Sequence, residues 1–286
     1  MTDSTPTMAA LAATAEPAPP PVPMPGASGQ RGRQLLRLLP SFAVPVVLLV
    51  IWQVYCTVAD VDPTVLPTPS RVVDSLFAAR DIAWTHTWQT LQETLIGFGV
   101  SIVFALVVAV AMDQIMWLRR SLYPMLVASQ TIPVIAIAPL MIIWFGFGLL
   151  PKVLVIVLVT FFPIVVAVLD GFAATEREAM NLLKTMGATR MQTFRLLRFP
   201  GALPYLFTGL RISATYAVIA AIFAEYVGAY TGLGIWMSQS KNAFRTDLVF
   251  GAITISALVS VLFFLLVALA ARLVMPWYYA AREQSR

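Results

Sequence analysis

Six apolar runs constrain the fold of this chain more than any other feature of its sequence. Each run is close to the ~20 residues that an α-helix needs to cross a bilayer. None of them alternates in polarity, as the shorter strands of a membrane barrel would. The runs cover residues 41–59, 91–112, 122–145, 152–170, 205–229 and 248–272. They predict an all-α membrane protein with about six transmembrane helices.

The composition agrees with this class and excludes several others. Hydrophobic residues make up 59% of the 286 residues and charged residues 12%, whereas soluble domains are about one quarter charged. A net charge of +5 is too small to indicate nucleic acid binding. Cys56 and His86 are the only residues of their types, so an internal disulfide and a multi-histidine metal site are excluded. The sequence has no P-loop motif and predicts no cofactor.

The N-terminal segment differs from the rest of the chain. Residues 1–30 contain seven prolines among many Ala, Ser and Thr, a composition that cannot bury a core. The prolines interrupt any apolar block, so the segment does not resemble a signal peptide. We therefore predict a disordered cytoplasmic tail over residues 1–38 and a transmembrane domain over residues 39–286.

The distribution of Lys and Arg predicts the orientation. With the N-terminus in the cytoplasm, thirteen basic residues lie in inside segments and five in outside segments, and Arg211, at the start of the fifth run, is not counted. The inside set is Arg31, Arg33, Arg37, Arg119, Arg120, Arg177, Lys184, Arg190, Arg195, Arg198, Arg272, Arg282 and Arg286, and the outside set is Arg71, Arg80, Lys152, Lys241 and Arg245. The positive-inside rule then predicts that both termini are cytoplasmic.

A basic insert over residues 171–204 separates the fourth run from the fifth. Early acids and a helix-forming run over residues 179–186 predict one short helix, with Met180, Leu183 and Met186 on one face. Gly187 stands where that helix would stop. A second helix is predicted over residues 189–199, ended by two prolines, Pro200 and Pro204. This helix–turn–helix either anchors the bundle at the membrane interface or docks a cytoplasmic subunit.

Several residues within the runs are candidates for a translocation pathway. Pro133, Pro139 and Pro163 each remove a backbone hydrogen bond, and such helices either kink within a packed bundle or line a water-filled path. For Pro163 we expect only a kink. Glu225 is an ionisable group at membrane depth, or else an interfacial carboxylate that reaches water.

The aromatic residues of the runs, and the acids at the ends of the runs, have structural interpretations as well as functional ones. The aromatic residues face the pathway, lie in the aromatic belt at the membrane interface, or pack within the bundle. The acids at the predicted cytoplasmic ends are expected to be solvated. The aromatic set is Trp144, Phe145, Tyr216 and Tyr226, and the acids are Asp113 and Asp170.

The insert resembles the cytoplasmic loop of permeases from ABC importers. In that family an acidic-alanine start is followed by a glycine and, nine residues later, by a hydrophobic–x–hydrophobic–Pro ending. Here Gly187 takes the glycine position and residues 197–200 (LRFP) form the ending. The start departs from the pattern, because Glu178 and Ala179 lie one helical turn early. The resemblance assigns the contact with ATP-binding subunits to Glu178, Ala179, Leu183, Gly187, Ala188, Arg190, Leu197 and Pro200.

Three further segments resemble the nitrate/sulfonate/taurine branch of these permeases. They are LPTPS at residues 66–70, IPVIAIAPLMIIWFG at 132–146 and EYVGAYTGLG at 225–234. The fifth run, with ISATYAVI at residues 212–219, is most similar to permeases for riboflavin or for pyrimidine precursors of thiamine. Apart from Lys152 and Arg272, which are end residues of their runs, Arg211 is the only basic residue inside a predicted run. This favours a neutral heterocycle over an anion such as a sulfonate, taurine or nitrate.

The resemblance implies partners and a mechanism. Two copies of the chain would form the pore, two cytoplasmic ATP-binding subunits would receive the loops, and an extracytoplasmic binding protein would deliver the solute. Pro133, Pro139, Tyr216 and Glu225 are the candidate pathway residues. A secondary transporter would need no ATPase but would show more spans or an internal repeat. A membrane enzyme would need a convergent catalytic set, which the sequence does not supply.

Overall fold

The computed structural model describes residues 28–284, with side chains over residues 43–280, and its regular elements there are all helices. Residues 1–27 of the predicted tail lie outside the described residues, and the first helix takes in residues 28–38. The helices are α1 (Ser28–Val58), α2 (Pro69–Ala78), α3 (Arg80–Gln114), α4 (Met116–Ser129), α5 (Val134–Phe145), α6 (Leu149–Ala173), α7 (Arg177–Thr185), α8 (Arg190–Thr193), α9 (Phe199–Gly228), α10 (Leu233–Asn242), α11 (Thr246–Val274) and α12 (Pro276–Gln284), with a π turn over Phe194–Arg198.

Four helices in the described part of the chain are long and apolar enough to cross a membrane. They are α3, α6, the continuous stretch Arg190–Gly228 and α11. Helices α4 and α5 pass the same test only together, as a pair bent by 102°. Ala43–Val58, within α1, is a shorter apolar helix. The predicted all-α membrane fold is confirmed, and the number of six spans stays a prediction.

The third predicted span is broken where the proline rule predicts a break. Pro133 lies at the N-cap of α5, in extended backbone with ψ of 121°, and it has no N–H to continue α4. Pro139 and Pro163 lie inside α5 and α6, which continue through them.

Small residues bring the central helices close together. Gly209 of α9 lies against Pro163 and Ala167 of α6, where an added Cβ would be 2.6 Å from the Cβ of Ala167. Gly97 of α3 lies in the same way against Ile156 of α6. Such positions let membrane helices pack at short range. Helices α3, α6 and α9 therefore form the core of the unit that starts at Gln53.

One boundary prediction was wrong. The second helix of the insert does not end at Pro200 and Pro204, because α8, the π turn and α9 form one continuous helix over Arg190–Gly228. The π turn is wound more widely, and the N–H of Phe199 donates to the carbonyl of Phe194. This wider turn lies where the ring of Pro200 would otherwise meet the preceding turn. Pro204 follows inside α9.

Candidate functional site

The turn after α7 has the geometry of a Schellman C-cap. The N–H of Ala188 donates to the carbonyl of Leu183 at 2.9 Å, and the N–H of Gly187 donates to that of Lys184 at 3.0 Å. Gly187 has φ of +83°, and a Cβ added there would meet nothing within 4 Å. Backbone conformation, not space, is therefore what requires glycine at this position. The predicted helix stop at Gly187 is confirmed.

A capping box starts the next helix. The Thr189 hydroxyl accepts a hydrogen bond from the Gln192 N–H at 3.3 Å, and the Gln192 side chain accepts one from the Thr189 N–H at 2.8 Å. The T-x-x-Q spacing is a sequence signal for this cap. Helices α7 and α8 thus form the predicted helix–turn–helix, with both ends of the turn fixed by hydrogen bonds.

The apolar surface of this helix–turn–helix differs from the predicted face. Met180 and Leu183 are half-buried, whereas Met186 is 74% exposed and Leu182 is 63% exposed. Two more large apolar side chains nearby, Met191 and Leu196, are also exposed. We call Leu182, Met186, Met191 and Leu196 the loop patch. Of the other residues assigned to this loop, Glu178, Gly187 and Arg190 are exposed, and Ala179, Ala188, Leu197 and Pro200 are half-buried.

Arg198 fixes the π turn to α3. Its guanidinium donates two hydrogen bonds to the carboxylate of Asp113, whose side chain is only 5% exposed. The guanidinium also lies 5.5 Å from the ring centroid of Phe172 in α6. The expectation that Asp113 is solvated was therefore wrong, because the paired arginine covers it. Asp170, at the end of α6, is exposed as expected.

A buried ion pair lies near the opposite end of the same helices. Lys152 of α6 donates to Oε1 of Glu93 in α3, and the two side chains are 8% and 1% exposed. Gln89 donates to the same carboxylate oxygen at 2.7 Å. The sequence placed Lys152 in an outside segment, and Arg211 is therefore not the only basic residue within the spanning helices. Glu93 has a sequence signal that was missed, since it is a carboxylate inside an apolar run.

Glu225 is fully buried and holds the start of α10. Its Oε2 accepts the N–H of Gly234 at 2.8 Å, and its Oε1 accepts the hydroxyl of Thr90 at 2.7 Å. The same hydroxyl oxygen accepts the N–H of Leu233 at 2.8 Å, and Nδ1 of His86 accepts the N–H of Gly232 at 3.0 Å. The N–H groups of Gly232, Leu233 and Gly234 thus donate to side chains of α3 and α9, and we call this arrangement the clasp. Glu225 does not reach water in this structure.

The candidate pathway residues differ in their exposure. Tyr216 is 48% exposed and lies on a stripe of α9 with Ile212, Ile219, Phe223 and Tyr226. Glu225 lies on the buried side of the same helix. Among the other candidates, Pro133 is exposed at the break between α4 and α5, and Pro139 is half-buried within α5.

One helix connects the two ends of the bundle. Arg198 and Glu225 are 27 residues apart on the continuous helix, which corresponds to about 40 Å at 1.5 Å per residue. Each end is held by hydrogen bonds to α3.

The chain matches a family model over residues 101–278, that of the binding-protein-dependent transport system inner membrane component. It is 39% identical to the formylaminopyrimidine transport permease protein ThiX of Halalkalibacterium halodurans, over 80% of this chain and 92% of that protein. It is 37% identical to the riboflavin transport system permease protein RibX of Chloroflexus aurantiacus, over 83% and 91%.

A more distant relative comes from the taurine systems. The taurine transport system permease protein TauC of Escherichia coli is 29% identical over 83% of this chain and 89% of that protein. A structure of the MetNI methionine ABC transporter shares the fold, with a TM-score of 0.52 and 24% identity over 65% of this chain and 94% of that one. The predicted resemblance is confirmed. The chain belongs to the binding-protein-dependent transport system inner-membrane components, as an ABC-importer permease of the nitrate/sulfonate/taurine type.

Proposed function

We propose that this chain is the permease of an importer for a flat, neutral heterocycle, either riboflavin or a pyrimidine precursor of thiamine. Permeases of this family are not enzymes. They work with separate ATP-binding subunits and with a solute-binding protein.

The pattern of identity carries the proposal for the solute. The chain is 39% and 37% identical to permeases named for formylaminopyrimidine and riboflavin, but 29% identical to one named for taurine. A charge argument points the same way. Lys152, a cation within the spanning helices, is neutralised by its ion pair with Glu93. With this pair in place, Lys152 contributes no free positive charge that would attract a permanent anion.

The exposed stripe of α9 supports a pore made of two copies of the chain. Helix α9 is otherwise the most buried spanning helix, yet Ile212, Tyr216, Ile219 and Phe223 remain uncovered along one side. In a homodimer, this stripe would face the second copy, and Tyr216 would line the path between them. Pro133 and Pro139 would line it from the broken helix pair. Glu225, being buried, would act on the path only by holding α10.

The helix–turn–helix provides the contact with the ATP-binding subunits. Two such subunits would each receive one loop on the cytoplasmic side, with Glu178, Ala179, Leu183, Gly187, Ala188, Arg190, Leu197 and Pro200 in or beside the contact. The exposed loop patch supports this role, because an apolar surface of this kind is typical of a protein interface. Closure of the ATP-binding subunits would move α8 and, through the continuous helix, α9.

Uptake by the reconstituted importer tests the proposal. The chain would be placed in proteoliposomes with its ATP-binding subunits and its binding protein, and uptake of labelled formylaminopyrimidine, riboflavin and taurine would be compared. We expect uptake of one heterocycle that stops with a non-hydrolysable ATP analogue and is unaffected by an ionophore. Selective uptake of taurine would overturn the assignment of the solute. Uptake that depends on the ion gradient and not on ATP would indicate a secondary transporter.

A further inference from the structure

The carboxyl group of Glu225 is enclosed by the turn that precedes α10. Its side chain is fully buried, and its two oxygens contact the hydroxyl of Thr90 at 2.7 Å and the N–H of Gly234 at 2.8 Å. A Cβ added at Gly232 would overlap this carboxyl group, so the glycine backbone packs directly against it. The carboxyl group is therefore cut off from the water that normally stabilises its ionised form.

The buried charges near Glu225 do not balance if its carboxyl group is ionised. Glu93 lies one helical turn after Thr90 on α3, where side chains three residues apart are neighbours, and it is paired with Lys152 of α6. Among residues 43–280, no ion pair includes Glu225. Two carboxylates and one ammonium leave one negative charge uncompensated between membrane helices, which is costly.

His86 does not supply the missing positive charge. Its Nδ1 accepts the N–H of Gly232 at 3.0 Å, and an imidazole that accepts a hydrogen bond is neutral. Lys241, the charged residue of α10, is exposed and donates to the hydroxyl of Tyr226. The charge on Glu225 is therefore not offset from α3 or α10.

The hydroxyl of Thr90 has more oxygen neighbours than its one proton can serve. Its Oγ1 lies 2.7 Å from Oε1 of Glu225 and 3.1 Å from the backbone carbonyl oxygen of His86. It also accepts the N–H of Leu233 at 2.8 Å. A hydroxyl donates one proton and accepts at two lone pairs. With an ionised Glu225, one of the two oxygen–oxygen contacts is left without a hydrogen.

A proton on Oε1 of Glu225 satisfies every contact of this hydroxyl. The carboxylic acid then donates to Oγ1 of Thr90, which still accepts the N–H of Leu233, and the Thr90 hydroxyl donates to the carbonyl of His86. Oε2 remains a carbonyl oxygen and accepts the N–H of Gly234 as before. The same proton removes the uncompensated negative charge.

We propose that the carboxyl group of Glu225 is a proton-binding site, which holds one proton at neutral pH and donates it to Oγ1 of Thr90. The site is independent of the transported solute. A glutamate that reaches water is ionised above about pH 5, so folding takes up a proton from solvent at Glu225. This contribution to stability is complete at low pH and is lost as the pH rises and the proton leaves. The clasp is thus a latch that weakens in alkaline conditions.

Infrared spectroscopy of the full chain in nanodiscs at neutral pH tests for the proton directly. A neutral carboxylic acid has a carbonyl stretch separate from the bands of carboxylates and amides. We expect this band in the original chain, its displacement by labelling glutamate with heavy carbon, and its loss in Glu225→Gln. The matched control is the double variant Glu93→Gln with Lys152→Met, which removes the neighbouring ion pair and should keep the band.

The infrared result can overturn the proposal in two ways. Absence of the band from the labelled original chain would show that Glu225 is ionised, and this outcome needs no variant to fold. A band that persists in Glu225→Gln but is lost in the double variant would place the proton on Glu93, whose Oε2 is buried without a hydrogen-bond partner among the described residues.

The pH dependence of unfolding provides a second measurement. From about pH 6 to about pH 7 a glutamate in water is ionised, so the folding equilibrium constant of the original chain should fall about tenfold per pH unit relative to that of Glu225→Gln. Glutamine has the shape of the neutral acid, and His86 is present in both proteins, so its own titration cancels in the ratio. Equal pH dependence of the two proteins would overturn the proposal.

Discussion

Arg198 donates two parallel hydrogen bonds to Asp113, from Nη1 to Oδ2 at 2.7 Å and from Nη2 to Oδ1 at 2.8 Å. This bidentate pair joins the π turn to the last turn of α3, at the point where the loop helix becomes the spanning helix α9. Bidentate arginine–carboxylate pairs fix orientation as well as distance. The pair therefore fixes the orientation of the π turn against α3.

The first prediction is that loss of this pair destabilises the protein and weakens coupling. Asp113→Ala leaves the Arg198 guanidinium without its carboxylate partner, with only a 3.4 Å hydrogen bond to the carbonyl of Phe172. The free energy of unfolding should fall by about 2–3 kcal/mol, below the cost for a fully buried pair, because the Arg198 side chain is 23% exposed. Tryptophan fluorescence during unfolding in nanodiscs would measure the change. Asp170→Ala, at an exposed acid near the same end of the bundle, should leave stability within about 0.5 kcal/mol, and a similar loss in both variants would contradict the role of the pair.

The second prediction concerns the buried pair of Glu93 and Lys152. Lys152→Met leaves a carboxylate buried without its cation, which should cost about 3–5 kcal/mol. The double variant Glu93→Gln with Lys152→Met should recover most of that loss, because the amide keeps the bond from Gln89 and no charge remains. Unfolding of the two single variants and the double variant forms a thermodynamic cycle. Additive effects would show that the two charges do not stabilise each other.

The same variants bear on transport. If Lys152 serves only to neutralise Glu93, the double variant should transport the heterocycle at a rate close to that of the original chain. A loss of uptake in the double variant, with stability restored, would place the pair in the path of the solute. This comparison separates a structural ion pair from a specificity-determining one.

The third prediction tests the clasp at the start of α10. An added Cβ at Gly234 would overlap the carbonyl oxygen of Ile222, a backbone atom that cannot move aside alone. Gly234→Ala should therefore destabilise more than Glu225→Ala, which leaves the N–H of Gly234 unpaired and costs about 1–3 kcal/mol. Glu225→Gln should be milder than Glu225→Ala, because the amide oxygen still accepts one bond. Hydrogen exchange of the α10 amides would report the opening, and equal protection in all three variants would contradict the clasp.

Much of this arrangement follows from local sequence, and the rest depends on helix register. The apolar runs predict the all-α membrane fold, and Gly187 predicts the end of α7, because both signals are local. The pairs of Arg198 with Asp113 and of Lys152 with Glu93 join residues 85 and 59 positions apart. Such partners are set by the depth and rotation of packed helices, which no local pattern encodes.

The prolines give a second example of structure that local sequence does not fully determine. The proline rule correctly predicts the break at Pro133, where the chain bends by 102° between two helices. It fails at Pro200, because a π turn just before this residue provides the wider winding that lets the helix continue. At this π turn, the pair of Arg198 with Asp113 holds the helix against α3.

The fourth prediction is that Gly187 is required for coupling through its conformation. Valine at φ of +83° is strained by about 1–2 kcal/mol, although the surrounding space is open. Gly187→Val should change the angle between α7 and α8, lowering both solute uptake and solute-stimulated ATP hydrolysis. Gly99→Val adds the same side chain to α3 in open space at a helical φ, and it should retain both activities. Survival of both activities in Gly187→Val would show that the loop does not couple transport to ATP hydrolysis.

The fifth prediction is that the loop patch binds the ATP-binding subunits through its apolar surface. Leu182 of α7 and Met186, the C-cap of that helix, are one helical turn apart and are exposed in the isolated chain. Burial in a partner would therefore stabilise the contact by the area removed from water. Leu182→Gln with Met186→Gln should reduce co-purification of the ATP-binding subunits about tenfold or more, without lowering the stability of the permease itself. Lys184→Gln, on the opposite side of the same helix, is the matched control and should retain the complex. Normal assembly of the double variant would show that the loop patch does not bind the ATP-binding subunits. The exposed side chains of the patch would then anchor the loop in the membrane interface.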